Sequence, residues 1–159
     1  MTSTARAVHD LLVARGETVA VAESLTGGLT SAELTATAGA SASFRGGLVV
    51  YATDLKASLA DVPPELLERH GAVHPSVAAA LAAGVRRRLG ASWGLGLTGV
   101  AGPDPQDGQP VGTLHVGVAA TDGETVVRTM MLAGDRAAIR AAAVEAALSM
   151  VWDSLRGRE

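Results

Sequence analysis

Cysteine is absent from the 159 residues, which excludes disulfides and thiolate metal sites. Long apolar runs are missing too, so no segment reads as a membrane span. The N-terminal stretch MTSTARAVHDLLVARG lacks the apolar centre of a secretory signal, and a cytoplasmic protein is the expectation. Basic excess is also absent. The net charge is -3, which argues against non-specific nucleic-acid binding. The four histidines, His9, His70, His74 and His115, are scattered without ligand spacing, so neither a metal nor a cofactor is expected. Charged residues make up only 18% and apolar ones 48%, a composition that folds rather than staying disordered.

Scarcity is sharpest for lysine. Lysine and arginine together number 13, of which twelve are arginine and Lys56 alone is lysine. Tyr51 is likewise the only tyrosine and Phe44 the only phenylalanine. Arginine replaces lysine wherever charge alone suffices, but it cannot lose its proton usefully. A lone lysine five residues after a lone tyrosine therefore suggests a site that needs an amine. Composition leaves chance survival of a surface lysine equally open.

The length suits one domain with one core, taken as residues 1–159. Periodicity predicts a helix over residues 4–15, ended by Gly16, and a buried strand over 18–22. A second helix is expected over 29–37, a strand over 48–52, and a helix over 54–60. Pro63-Pro64 opens a helix through Arg69, and Pro75 opens another that Gly90 closes. Residues 93–97 read as a buried strand and 98–110 as the longest loop. Strands over 112–120 and 125–132 join at Asp122-Gly123 as a hairpin. Asp135 caps a helix running to about Leu155. Alternating strands and helices followed by a hairpin predict an α/β fold, a three-layer α/β/α sandwich with a mixed, mainly parallel sheet.

Functional groups in such folds gather at the carboxyl ends of strands. Three segments sit there. In AESLTGG (22–28), Ser24 lies on a strand-to-helix turn beside glycines that let backbone N–H groups approach a ligand, although Ser24 or Thr26 as a plain helix cap is the commoner role. In the second, FRGGLVVY (44–51) followed by Lys56, the lysine lies early in a helix, where the macrodipole and any burial disfavour its charge, the alternative being a Tyr51 packed at the sheet edge and a solvated Lys56. The third, LTGVAGPD (97–104), is a glycine-rich loop without the Gly-Lys-Ser/Thr of a phosphate-binding Walker motif. Arg136 and Arg140, four apart on one helical face, suit a phosphate or carboxylate, or a surface ion pair.

Read together, six segments in order resemble the CinA C-terminal domain family and its nicotinamide-nucleotide amidases of PncC type. They are AESLTGGL (22–29), FRGGLVVYATDLK (44–56), HGAVHPSVA (70–78), GLTGVAGPD (96–104), PVGTLHVGV (110–118) and GDRAAIR (134–140). They span nearly the whole chain and resemble the stand-alone form of the family. The resemblance implies hydrolysis of the carboxamide of nicotinamide mononucleotide to nicotinate mononucleotide and ammonia. It implies Ser24 as nucleophile, Lys56 as base, and Tyr51 to orient the lysine or relay the proton. Backbone N–H groups near Thr26, Gly27 and Gly28 would hold the oxyanion. Thr98, Gly99, Gly102, Arg136 and Arg140 are candidates for the ribose phosphate. A small-molecule substrate and a homo-oligomer follow from the same resemblance, with no nucleic-acid or membrane partner. His74 departs from the small hydroxyl residue usual there, which would touch a helix cap or the pocket rim. A phosphate-binding regulatory module, or an amidase for another small amide, would use the same loops.

Overall fold

The computed structural model describes residues 1–158. The apolar, β-branched run after Glu17 forms β1 (Val19–Glu23), buried along its whole length. On one side it pairs in parallel with β2 (Phe44–Val49), on the other with β3 (Trp93–Gly99). β4 (Thr113–Ala119) and β5 (Thr125–Met131) complete the order β2-β1-β3-β4-β5, and β4 is antiparallel to both its neighbours. Four strands therefore share one direction and β4 opposes them. The mixed sheet matches the expectation, and the hairpin falls at Asp122-Gly123, where Gly123 takes a left-handed φ of 88°.

Side chains alternate across the pleat, and the two faces receive different sizes of residue. Val19 and Val21 of β1, Trp93, Leu95 and Leu97 of β3, and Leu114, Val116 and Val118 of β4 face one layer. That layer holds α1 (Thr4–Arg15), α2 (Leu29–Thr35) and the long α6 (Arg136–Arg156). The opposite face of the same strands carries Ala20, Ala22, Gly94, Gly96 and Gly117. On it lies α5 (Pro75–Arg88), with α3 (Thr53–Ala60) and α4 (Pro64–His70) beside it. The small residues let α5 lie flush on the sheet. An added Cβ at Gly94 would stand 1.9 Å from the Ala82 carbonyl oxygen, and one at Gly96 2.5 Å from that of Ala78.

Caps follow local chemistry. Ser3 accepts from the Arg6 N–H and Asp135 from the Ala138 N–H, each satisfying a free donor at a helix start. His74 also caps: its Nδ1 accepts from the Ser76 N–H at 3.1 Å, so imidazole does here what a hydroxyl would. No helix is long and apolar enough to cross a membrane among the described residues.

Most element ends fall within a residue or two of the sequence reading, and two differences bear on the site. The second strand lies at 44–49 rather than 48–52. It runs through Gly46-Gly47 because the free edge of β1 supplies ladder partners from Val19 onward, which outweighs glycine's low strand preference. The chain leaves the sheet at Val50, whose N–H still bonds the Glu23 carbonyl. The loop expected from residue 98 begins after Gly99, because Thr98 and Gly99 pair with His115 and Leu114 of β4.

Candidate active site

At the carboxyl ends of β1, β2 and β3 the chain opens a cleft of about 130 Å³. Ser24, Tyr51, Gly99, Gly102, Gln106 and Arg136 line it, with Leu25 and Asp104. A larger groove of about 350 Å³ lies at the other end of the sheet around Trp93. Its charged residues, Glu124 and Arg158, pair with each other, so it presents no free reactive group.

The cleft holds one close pair of reactive side chains. Lys56, on the second turn of α3, is 1% exposed, and its Nζ lies 3.1 Å from Ser24 Oγ. The remaining contacts of Nζ are the carbonyl oxygens of Val50, at 2.8 Å, and Tyr51, at 3.5 Å. These carbonyls are available because the chain has left the sheet at Val50. No carboxylate pairs with Lys56 among the described residues. Burial lowers the ammonium pKa from 10.5 to about 8, with the charge of Asp107 pulling the other way. A neutral amine has two N–H donors and one lone pair. The ammonium donates to all three oxygens; once neutral, with its two donors on the carbonyls, the amine has its lone pair left for Ser24. That is the arrangement a base needs toward a hydroxyl.

The Ser24 turn departs from the sequence reading. Neither Ser24 nor Thr26 caps α2; Glu23 does so from the end of β1. Its carboxylate accepts from the N–H groups of Gly28, Thr30 and Ser31 and from the hydroxyls of Thr26 and Ser31. Gly27 and Gly28 take left-handed φ of 58° and 105°, which tucks the turn over that carboxylate. The glycine N–H groups are consequently occupied, Gly27 on the Ser24 carbonyl and Gly28 on Glu23, so they are not the oxyanion donors expected. The N–H groups of Leu25 and of Thr26, the latter among the donors expected, have no acceptor among the described residues, and Leu25 lines the cleft.

Other expected residues are sorted by the fold. Tyr51 meets Lys56 through its main-chain carbonyl. Its phenol is 59% exposed at the cleft mouth, where the hydroxyl accepts from Arg136 Nη2 at 3.2 Å. The expected phenol–lysine contact is thus replaced by a backbone one. Arg136 also donates to the Gly102 carbonyl and faces the cleft. Arg140 does not: its guanidinium donates to the carbonyls of Leu25 and Thr26, beneath the turn. One helical turn along α6 separates the two arginines, and each meets different partners. Thr98 is buried and its hydroxyl is engaged by the Ala72 carbonyl at 2.6 Å, so it offers no group to a ligand, whereas Gly99 and Gly102 stay at the cleft.

Sequence reasoning missed Glu23, Gln106 and Asp107. The Asp107 carboxylate accepts from the Ala72 N–H, which ties the 100–110 loop to the α4–α5 turn. A signal for Glu23 existed: a carboxylate closing an apolar strand just before three hydroxyl residues, Thr26, Thr30 and Ser31.

The fold and site define an α/β domain whose parallel strands deliver a buried serine–lysine pair to a small cleft. The chain belongs to the CinA C-terminal domain family, whose model matches residues 1–155. A CinA-like protein of Frankia casuarinae is 58% identical over 150 residues, covering 94% of this chain and 34% of that protein. Another, of Acidobacterium capsulatum, is 50% identical over 138 residues, covering 86% of this chain and 33% of that one. The chain thus spans about a third of the length of the curated relatives it matches. Among solved structures, the competence damage-inducible protein A of Klebsiella pneumoniae superposes with a TM-score of 0.91 at 31% identity, over 98% of both chains. A competence/damage inducible protein of Agrobacterium tumefaciens gives 0.91 at 35% identity, over 96% of this chain and 93% of that one.

Proposed function

We infer that the chain is an amidohydrolase acting on the carboxamide of nicotinamide mononucleotide, with Ser24 as nucleophile and Lys56 as base. The observation that carries this reading is the buried Lys56 amine 3.1 Å from Ser24 Oγ, with main-chain carbonyls as its other partners. Ser24 Oγ attacks the carboxamide carbon while Lys56 takes its proton. The Leu25 N–H bonds the tetrahedral oxyanion, an interaction worth about 3 kcal/mol for a well-placed donor. Lys56 returns the proton to the nitrogen as the C–N bond breaks, releasing ammonia and leaving an acyl ester on Ser24. Water then attacks the ester, Lys56 again takes the proton, and nicotinate mononucleotide leaves as Ser24 is reprotonated. Arg136 holds the anionic end at the cleft mouth, and Asp104 and Gln106 suit ribose hydroxyls.

The size of the cleft favours a second reading within the same chemistry. About 130 Å³ is well below the roughly 300 Å³ at which sites for drug-sized ligands begin. The cleft takes the carboxamide ring, and the nucleotide remainder lies across the rim; a smaller amide would fit wholly inside. Ammonia release separates the two. The intact protein is expected to liberate ammonia from nicotinamide mononucleotide, and Ser24→Ala to lose at least about a thousandfold of that rate. Release from free nicotinamide but not from the mononucleotide would select the smaller amide. Full activity in Ser24→Ala would overturn both readings.

A further inference from the structure

We propose that Glu23 and Arg140 are positioning residues that together fix Ser24 against Lys56, one holding the donors of the 24–31 turn and the other its carbonyls. This rests on Ser24 being the nucleophile. Glu23 is completely buried, and its two oxygens take five hydrogen bonds. Oε1 accepts from Thr26 Oγ1 at 2.6 Å, the Gly28 N–H at 2.9 Å and the Thr30 N–H at 3.1 Å. Oε2 accepts from Ser31 Oγ at 2.7 Å and the Ser31 N–H at 3.0 Å. The carboxylate thereby meets the positive end of α2, where an anion is favoured. Burial alone would raise the Glu23 pKa, but the bonds from Thr26, Ser31 and Thr30 outweigh it and keep the pKa below the usual value.

Arg140 closes the other side. Its Nε donates to the Leu25 carbonyl at 3.0 Å and Nη2 to that of Thr26 at 3.1 Å. Glu23 and Arg140 do not touch each other's partners on Thr26, since one takes the hydroxyl and the other the carbonyl. Ser24 lies between the strand that ends in Glu23 and the carbonyls that Arg140 grips. A peptide held at both edges keeps the Ser24 Cα–Cβ bond aimed toward Lys56, where Oγ meets Nζ, and keeps the Leu25 peptide from turning. Arg140 is therefore part of the scaffold of the site rather than a ligand group. Neither residue contacts the Lys56 amine, whose partners are Ser24 and the carbonyls of Val50 and Tyr51.

Glu23→Gln keeps the shape but offers one acceptor oxygen and an amide NH₂ to a ring of donors, so the turn must relax. Arg140→Lys keeps the charge but cannot fork onto two carbonyls. The readout is the rate at which a fluorophosphonate, which reacts with an activated serine whatever its natural amide, labels Ser24 per folded molecule. Glu23→Gln is expected to lower that rate about 100-fold, the cost of a nucleophile misplaced by roughly 1 Å. Arg140→Lys moves it the same way, the double variant falls less than the two losses combined, and the pH midpoint of labelling stays put. Where Glu23→Gln does not fold, Arg140→Lys decides. Unchanged labelling per folded molecule, or a shifted midpoint in place of a lower rate, overturns the brace and leaves the serine–lysine reading standing. An intact protein that does not label at all overturns that reading and the brace with it.

Discussion

Exchanging Lys56 for arginine is expected to lower the turnover of nicotinamide mononucleotide about a thousandfold, with KM little changed. General base catalysis supplies a factor of roughly 10²–10⁴, and arginine cannot act as the base because it stays protonated. Lys56→Gln is a second test of the same idea: it is neutral and can still donate to the Val50 carbonyl, but its amide has no basic lone pair. Both variants are measured per folded molecule, because a guanidinium in this dry pocket also costs stability. The proposed activity then carries a defined pH dependence. With Lys56 proposed as the base, the neutral amine would be the working form, and kcat/KM is expected to rise as pH climbs through about 8. Near pH 7 about a tenth of the lysines are neutral, and the rate gains about tenfold before it levels. A rate that falls over that interval would mean that the ammonium, not the amine, does the work.

A second large effect is expected far from the cleft. Gly94→Ala is expected to destabilise the fold by about 3 kcal/mol, a drop in Tm of about 10 °C for a chain of this size. The added methyl would meet the Ala82 carbonyl oxygen at 1.9 Å and Arg86 Cβ at 2.8 Å. Backbone forms the nearer wall, so no rotamer change relieves the clash; α5 would have to lift from the sheet. Lifting α5 would strip cover from Ala20, Ala22 and Gly117 together. Glu33→Ala, at an exposed position of α2, is the control and is expected to stay within about 0.5 kcal/mol. Thermal unfolding followed by circular dichroism checks both.

Legibility in the sequence followed the range of the forces involved. Helix starts at Thr4, Pro64, Pro75 and Arg136 are set by neighbours within a few residues, and the caps and prolines announced them. β1 was readable because five consecutive buried positions leave no polar residue before Glu23. β2 was misplaced by four residues at its start because its glycines are accommodated only by the edge of β1, where their partners Ala20 and Val21 lie 26 residues away in the chain. Lys56 stood out for a chemical reason, as the one position where arginine had not replaced lysine. Its partner carbonyls could not be read, since any residue owns a carbonyl and only the exit of the chain at Val50 aims these two. The arginines show the same limit. Spacing places Arg136 and Arg140 on one helical face, but the partners one turn apart differ, so one reaches the cleft and the other lies beneath the turn. Glu23 read only as a residue of the turn after a strand over 18–22, because its five donors are aimed at it only once the 26–28 turn and the first turn of α2 fold back over the end of β1.

Lys56 being the only lysine permits one direct test. Protein grown with isotope-labelled lysine gives a single side-chain NMR signal, whose titration reports the Lys56 pKa without any substrate. A midpoint near 8 is the value that burial beside Ser24 predicts, and it marks an amine ready to accept the serine proton. A midpoint near the ordinary 10.5 would describe a solvated ammonium and would contradict Lys56 as the base.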